Sequence, residues 1–400
     1  MILESIAFAC HKIFSEPYYM PDIKCYTDIL LYKGIFYADS TSIEEVQLHN
    51  RMTVPFKPSD SALLRDLSLN IIDYNKIILY LEGFHSNMGH LLWDSMYPSW
   101  YGLFSNNEDD YNRDFQWMAT DKMYEQYSSG WHVDILEQFS GNKITTPKLL
   151  SSSDVALKIP LLIVGCKGIG IGCVNRQLLA NCEHKNHGRD PMEQFVNRMY
   201  ERYGIPRSVA ATPINIIYIV NKRPYRNIEK VLEEIQKENP ETCRTQIVDW
   251  ARYSFRDQLA ILNKTGIIIC GVGTARANTP FLPNGAIEIQ TNTHSLSFPN
   301  NINFFDYHIG TLSKHVKVIN ITNYTSEESR NLLCAAQLKE TVTSALQQFP
   351  IKGPIDVIEN VPLAVRELQP RISDALFNHW RKSGSNDIGD VMKLLAQKRF

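Results

Sequence analysis

The chain has 400 residues and a formal net charge of -2 at pH 7, with 44% apolar and 21% charged residues. That length is more than one hydrophobic core usually serves, so we expect an ordered protein of two domains. The near-neutral charge provides no broad basic face, so nucleic acid is not an expected partner. No run approaches the roughly 20 apolar residues of a membrane helix. No basic region precedes the first apolar stretch, so we expect a soluble, cytoplasmic protein without membrane insertion.

Short apolar runs alternate along the chain with longer amphipathic stretches, a pattern typical of parallel sheets with crossover helices. The apolar runs predict strands buried on both faces, at residues 76–81, 160–164, 214–220, 266–270, 286–290 and 316–321. The amphipathic stretches predict helices at residues 90–100, 192–203, 227–238, 254–264, 326–349 and 372–398. Ser254 followed by Asp257 is a capping-box pattern, which marks the start of one helix. The predicted fold class is α/β.

A glycine-containing turn followed by polar residues favours a domain boundary near residue 170. We therefore expect an N-terminal lobe over residues 1–170 and a C-terminal lobe over residues 171–360. Terminal helices over residues 361–400 would pack back on the first lobe. The eight cysteines include no C-x-x-C pair, so we expect reduced, mostly buried thiols.

Three polar residues follow the first predicted strand: Asn87, His90 and Asp94. Residues three and four apart share a face of a helix, so these side chains form one stripe. A polar stripe on an apolar helix is costly unless it is hydrogen-bonded or faces a cleft. A carboxylate in a cleft, or a histidine oriented by one, can deprotonate a hydroxyl group, so Asp94 and His90 are candidate catalytic residues. The alternative is a structural role, in which the stripe caps the helix or bonds neighbouring loops.

Other residues of this segment are candidates for lining the same cleft. They are His85, Asn87 and Trp93. An aromatic ring can frame a bound sugar, although aromatic residues at helical spacing more often belong to the core.

A basic turn follows the predicted strand 214–220. Lys222, Arg223, Arg226 and Asn227 lie between this strand and the next predicted helix. Ligands of open α/β sheets bind outside the carboxyl ends of the strands. A helix N-terminus adds free N–H groups and a partial positive charge, which favour a diphosphate. The alternative is a solvated surface loop.

A second turn, rich in small residues, follows the predicted strand 266–270. Glycine lets the backbone approach a ligand closely, and hydroxyl and amide side chains can bond phosphate or sugar. The strand after this turn carries a single carboxylate. The candidate ligand residues here are Gly271, Gly273, Thr274, Asn278 and Glu288.

Taken in order, these motifs resemble those of glycosyltransferase family 61. The run NMGHLLWD from Asn87 to Asp94 resembles the family's asparagine, histidine and aspartate on one helix. The run KRPYRN after a strand resembles its arginine pair, and Gln258 with GIIICGVGTARANTPFLPNGAIEIQ resembles its helix glutamine, strand, glycine turn and F-L-P-x-G-A run. The chain departs from the family pattern at G-V-H-G-A-G, because the histidine is missing after Val272. It departs again at Arg276, where an apolar residue is usual.

The resemblance implies two Rossmann-like lobes of the GT-B type with a cleft between them. It implies inverting transfer of a sugar from a UDP-sugar to a hydroxyl group of a glycan or glycoprotein acceptor, with no cofactor besides the donor and no obligatory metal. Arg223, Arg226 and the turn 271–278 would hold the diphosphate. Asp94, oriented or replaced by His90, would take the acceptor's proton, and Glu288 would bond the ribose or base.

Three other hypotheses stay open. The first is a non-catalytic protein of the same fold that binds a sugar or nucleotide. The second is a zinc site around Cys182, His184 and His187, which have no clear fourth ligand. The third is a NAD site at the glycines of residues 168–172, which do not complete the dinucleotide-binding fingerprint.

Overall fold

The protein is described here by a computed structural model. It describes residues 22–38, 56–58, 70–81, 87–106, 114–127, 130–151, 155–166, 191–208, 212–220, 227–271, 274–291, 313, 315–321 and 335–352. The chain divides into two compact units, Met1–Arg202 and Tyr203–Phe400.

The sheet of the first unit is built around one long strand, β7. Its described strands are β1 Asp22–Tyr32, β2 Ile35–Ala38, β3 Phe56–Pro58, β4 Asn70–Asp73, β5 Ile77–Tyr80, β6 Phe115–Met118 and β7 Val155–Cys166, and the order is β3-β2-β1-β7-β5-β6. One edge of β7 pairs antiparallel with β1. The other edge pairs parallel with β4 and then with β5, so two short strands follow one another along it.

The first sheet is mixed, which corrects the expectation of parallel sheets. β1 and β2 are joined by only Lys33 and Gly34, which have φ values of 50° and 77°. Positive φ at both central residues is the conformation of the tight hairpin turn that matches the twist of antiparallel strands. A connection this short cannot join parallel neighbours. The antiparallel pairing of β1 with β2 follows from this turn.

The first helix among the described residues of this unit is irregular. A π-helical segment, His90–Met96, continues directly into α1, and the N–H of Tyr97 donates to the carbonyl oxygen of Leu92 five residues back. The helix predicted at residues 90–100 is confirmed and extends further along the chain. The α-helices that follow are α1 Tyr97–Asn106, α2 Asp121–Tyr127, α3 Trp131–Ser140, α4 Pro147–Leu150 and α5 Pro191–Arg202.

Helix α5 packs inside the first unit through aromatic contacts. The Phe195 ring centroid lies 5.6 Å from that of Trp93, 5.5 Å from Trp100 and 4.8 Å from Phe139. Arg198 Nε donates to the Phe139 carbonyl oxygen at 3.1 Å, and burial lowers the pKa of this arginine to about 10. The division after Arg202 therefore falls later than the boundary expected at residue 170.

The second unit contains a parallel sheet. Its described strands are β8 Ile214–Ile219, β9 Cys243–Val248, β10 Thr265–Cys270, β11 Ala286–Thr291 and β12 Val316–Ile321, and the order is β9-β8-β10-β11-β12. All four pairings are parallel. Counted from β8, this is the doubly wound order 2-1-3-4-5, in which the direction of winding reverses between β8 and β10.

Helices and a 3-10 segment cover this parallel sheet. They are α6 Ile228–Glu238, α7 Phe255–Leu262, the 3-10 segment Thr274–Phe281 and α8 Ala335–Gln348. Apolar residues of α6 and α8 share one core with Ile267 and Ile287, on one face of the sheet. Glu288, the next residue of β11, faces the other side, where it bonds to the 3-10 segment. Helix α7 begins where expected, because Ser254 Oγ accepts from the N–H of Asp257 at 3.2 Å.

The six predicted strands are confirmed, and the α/β class with them. The helix predicted at 326–349 is seen as α8, and the one predicted at 372–398 lies outside the described residues. Cys25, Cys243 and Cys270 are thiols rather than halves of disulfides. Across the residues that the structure describes, no helix has the length and apolarity needed to cross a bilayer.

Gly285 is required in the turn before β11. Its φ is +82°, and a Cβ there would lie 2.9 Å from the carbonyl oxygen of Ile351. Gly285→Ala should lower the free energy of unfolding by about 2 kcal/mol or more, because the left-handed conformation alone costs an L-residue about 1–2 kcal/mol. Urea unfolding measures this loss. Gly204→Ala is the matched control, since φ is +64° there and nothing lies within 4 Å. Equal losses in both variants would contradict the steric part of this prediction.

His315 should make stability depend on pH. Its ring Nε2 lies 3.1 Å from the Leu282 carbonyl oxygen. Burial, and then the charge of Arg207, lower its pKa from 6.5 to about 4. Between pH 6.5 and about 4, the histidine is therefore protonated in the unfolded chain but neutral in the folded chain. Stability should fall as the pH falls from about 6.5 to about 4, and less steeply in His315→Gln. Urea unfolding across that interval tests this, and identical slopes would refute it.

Candidate functional site

The two predicted ligand turns follow the two strands between which the second sheet reverses. β8 leads into residues 221–226, and β10 leads into the turn that begins at Gly271. Because β8 and β10 are parallel neighbours, both turns leave the same edge of the sheet. The crevice outside the carboxyl ends at such a reversal is where open α/β sheets bind ligands. We call this edge, at the carboxyl ends of β8 and β10, the ligand edge, because both predicted ligand turns follow it in the chain.

The basic turn is described only where it ends. Lys222, Arg223 and Arg226 lie outside the described residues. Asn227 is half-buried at the start of α6, and its main-chain carbonyl accepts from the N–H of Val231 at 3.1 Å. The first turn of α6 therefore lies directly after the basic residues in the chain.

The glycine turn passes from the end of β10 into the 3-10 segment. Gly271 is buried, whereas Gly273 and the side chain of Thr274 lie outside the described residues. Asn278 is 2% exposed, and its Nδ2 donates to the carbonyl oxygen of Ala275 at 3.2 Å. The amide predicted to bind a ligand is thus held inside the unit by its own segment.

Glu288 holds the 3-10 segment against the sheet. Its side chain is 0% exposed, and it accepts from Arg276 Nε at 2.9 Å and from Thr279 Oγ1 at 2.7 Å. Cys270 Sγ and Gln290 Nε2 each lie 3.2 Å from its Oε1. Both carboxylate oxygens have protein donors, so a bond from Glu288 to a nucleotide stays a prediction.

Sequence reasoning missed this ion pair, although two signals pointed to it. A carboxylate inside the apolar run AIEIQ needs a donor or a cation, because an unpaired buried charge is very costly. Arg276 occupies a position where the resembling family has an apolar residue. An arginine and a carboxylate that both break an apolar pattern in one unit are natural partners, but the sequence gives no distance between them.

In the first unit, Asn87 caps the start of the helical segment. Its Oδ1 accepts from the N–H of Gly89 at 2.8 Å and from that of His90 at 3.4 Å. This is the geometry of a helix cap, so the structural alternative holds for Asn87. Its expected contact with an acceptor stays a prediction.

The remaining residues of the predicted stripe differ in position. His90 is exposed on the π-helical segment. Trp93 is 0% exposed, with its ring centroid 5.9 Å from that of Tyr97, so the structure places it in the core. Asp94 lies four residues after His90 in the same segment, but its side chain is outside the described residues, as is all of His85. Turns of π-helix occur frequently at functional sites.

The alternative metal and dinucleotide sites fall outside the structure's described ranges. These are residues 182–187 and residues 168–172. Among the residues that are described, no cluster of three or more His, Cys, Asp or Glu side chains is placed to hold a metal ion.

The buried ion pair predicts a non-additive mutant cycle. Arg276→Met and Glu288→Met should each cost about 3–5 kcal/mol of unfolding free energy, because each leaves an unpaired buried charge. The double variant should lose less unfolding free energy than the sum of the two single losses, since it leaves no buried charge. Urea unfolding of all four proteins measures this. Lys143→Met is the control, because Lys143 is 87% exposed in its 2.5 Å pair with Glu137 and should change little. Additive losses would contradict the pairing.

Comparisons with known proteins support one family. The family described as Glycosyltransferase 61 matches residues 88–289. No curated protein matches the chain. A solved structure of rubredoxin oxygen:oxidoreductase from Desulfovibrio gigas is similar at 10% identity and a TM-score of 0.23, over 48% of this chain and 44% of that one. That score is too low to support an argument. The match includes the π-helical segment, the turns after β8 and β10, and Glu288. Because it covers slightly more than half of the chain, the protein belongs to glycosyltransferase family 61.

Proposed function

We propose that this glycosyltransferase transfers a sugar from a UDP-sugar to a hydroxyl group of a glycan or glycoprotein acceptor, with inversion at the anomeric carbon. One observation carries the proposal. The basic turn and the glycine turn follow the two adjacent strands, β8 and β10, between which the sheet order reverses. Turns of two kinds that bind phosphate in other proteins thus follow strands whose carboxyl ends lie at the same edge of the sheet.

The donor step belongs to the second unit. Arg223 and Arg226 would pair with the diphosphate, and the main-chain N–H groups of the turn from Gly271 to Thr274 would approach it closely. As the bond from the anomeric carbon to UDP breaks, negative charge develops on the leaving phosphate. Cations and N–H groups that are already in position stabilise this charge without reorganisation.

We assign Arg276 a structural role instead. Its Nε donates to Glu288 at 2.9 Å, so that carboxylate balances its charge. In this proposal, the cations for the leaving group come from Lys222, Arg223 and Arg226. With these charges and the N-terminus of α6, the proposal needs no metal ion.

The acceptor step belongs to the first unit. The acceptor oxygen attacks the anomeric carbon on the face opposite UDP, a new glycosidic bond forms, and the bond to UDP breaks. The acceptor's proton passes to a base, for which we propose Asp94 with His90 as its partner or substitute. The two-lobed GT-B arrangement implied by the family resemblance stays part of this proposal.

A non-catalytic nucleotide-sugar-binding protein is the second candidate. It is favoured by one pair of observations: Asn87 and Trp93, both expected on the acceptor side, have protein partners instead. Incubation with UDP-sugars in the absence of acceptor separates the two functions. An enzyme should slowly release UDP through transfer to water, whereas a pure binding protein should release none.

Asp94→Asn should lower kcat by about 100- to 10,000-fold, which is the usual contribution of a positioned base. The affinity of the Asp94→Asn variant for UDP should not change, because the proposed base does not contact the leaving group. Arg226→Ala should weaken UDP binding by about 10- to 100-fold, the effect of losing a hydrogen bond to a charged group. Transfer assays with a chelator present, and calorimetric titration with UDP, measure these effects.

Two exposed residues away from the proposed site provide controls. Asp73→Asn changes a carboxylate of β4, and Arg244→Ala removes a cation at the amino end of β9. Both variants should behave like the wild type. Wild-type transfer by the double variant His90→Asn/Asp94→Asn would exclude a base at either position of the π-helical segment. Loss of activity in the chelator would exclude a metal-independent mechanism.

A further inference from the structure

Two buried amide side chains of the second unit each leave one polar atom unsatisfied. Asn278 and Gln290 are 2% and 1% exposed. Asn278 Oδ1 and Gln290 Oε1 have no hydrogen-bond donor within the described parts of the chain. Buried polar atoms are nearly always paired, so each such exception requires a physical explanation.

Chemistry fixes which atom of Gln290 is unsatisfied. Its Nε2 lies 3.2 Å from Oε1 of Glu288. A carboxylate that faces a guanidinium only accepts hydrogen bonds, so the NH2 group must point toward it. A flip of the amide would bring two acceptors together. The carbonyl oxygen of Gln290 is therefore held away from Glu288.

The amide of Asn278 is oriented in the same way. Its Nδ2 donates to the main-chain carbonyl of Ala275 at 3.2 Å, and a carbonyl oxygen can only accept. A flipped amide would bring two acceptors together, so the unsatisfied atom is the side-chain oxygen of Asn278. Two amides on neighbouring elements of one unit, each oriented by an acceptor, leave the same kind of atom without a partner.

Gln290 lies at the ligand edge of the sheet. It pairs with Cys270 of β10 and Asn320 of β12, so it belongs to the carboxyl end of β11. Cys270 is the residue directly before the glycine turn. An acceptor at this position, beside the proposed diphosphate turn, is placed for a group of the same ligand.

We propose that Gln290, assisted by Asn278, is a specificity-determining residue that accepts hydrogen bonds from O–H or N–H groups of the nucleotide-sugar. This rests on the proposed function. A carbonyl oxygen cannot bond an ionised phosphate, which also only accepts. The two amides therefore accept hydrogen bonds from the sugar or the nucleoside and not from the diphosphate.

The burial of the two acceptor oxygens makes the proposed site selective. Neither amide oxygen is exposed, so a ligand reaches these oxygens by displacing neighbouring atoms at the end of the strand. Solvent then does not compete for the hydrogen bond between the ligand and the amide. A site built around a buried acceptor rejects strongly an analogue that lacks the matching donor, because the acceptor stays unpaired. A donor that fills both acceptors is preferred for the same reason.

The test compares ligand affinities of Gln290→Met with those of the wild type. Methionine keeps the length of the side chain and removes the acceptor. The probes are UDP, UDP-glucose, UDP-N-acetylglucosamine and UDP-xylose, measured by thermal shift and calorimetry. We expect at least about tenfold weaker binding of the probe that the wild type binds best. Weakening already seen with UDP assigns the contact to the nucleoside, and weakening confined to a UDP-sugar assigns it to the sugar.

Gln236→Met is the matched control. Gln236 is a half-buried glutamine near the end of α6, and its Oε1 accepts from the N–H of Thr245 at 2.8 Å. This variant should lose stability but bind every probe like the wild type. Asn278→Leu provides a second, independent removal of an unsatisfied acceptor, and it keeps the proposal testable where Gln290→Met does not fold.

The possible failures are distinguishable. If no probe binds the wild type, the proposed function fails and the inference fails with it. If the wild type binds a probe and both Gln290→Met and Asn278→Leu bind it equally well, the proposed function stands and this inference is overturned. That second result would mean that the two oxygens bond only to buried water.

Discussion

The buried carboxylate of Glu288 is the constraint on which the ligand edge of the second unit depends. It lies at 0% exposure in β11, and a charge there is tolerated only when it is paired. Arg276 and Thr279 satisfy its two oxygens. Residues three apart eclipse one another in a 3-10 helix, so both donors come from one face of the 3-10 segment. That face is held against β11, which fixes the segment that directly follows the glycine turn in the chain.

The same ion pair accounts for one departure from the family pattern and limits what the turn can do. An arginine replaces the usual apolar residue at position 276 and stays buried because Glu288 is within reach. The two charges cancel, so this segment offers a diphosphate main-chain N–H groups but no net charge. In the proposed reaction, the electrostatic stabilisation of the leaving group is therefore concentrated in the turn after β8. Recognition of the rest of the donor falls to neutral groups, such as the amides beside Glu288.

The sequence predicted the second sheet far better than the first, for a physical reason. Strands such as β10 and β11 are buried along their whole length, and burial on both faces leaves an unbroken apolar run. In contrast, all four residues of β4 are exposed, so this strand has no buried face that would produce a pattern of apolar residues in the sequence. The distance between Arg276 and Glu288 depends on how the 3-10 segment packs against β11. The π-helical hydrogen bond from Tyr97 to Leu92 is local, but the spacing of apolar residues does not distinguish it from an ordinary α-helical turn. The candidate residues could therefore be named from the sequence, but their partners could not.

The π-helical segment is buried in the core on one side and carries His90, the proposed partner of Asp94, exposed on the other. Asn87 satisfies the first N–H groups, so the segment can begin without a partner from another element. Trp93 and Met96 are fully buried, and the ring of Trp93 contacts Phe195 of α5. His90 remains exposed on the same segment. Because the aromatic packing fixes the helix from one side, the exposed side is held rigidly. A base needs such support if it is to meet an acceptor hydroxyl in a defined geometry.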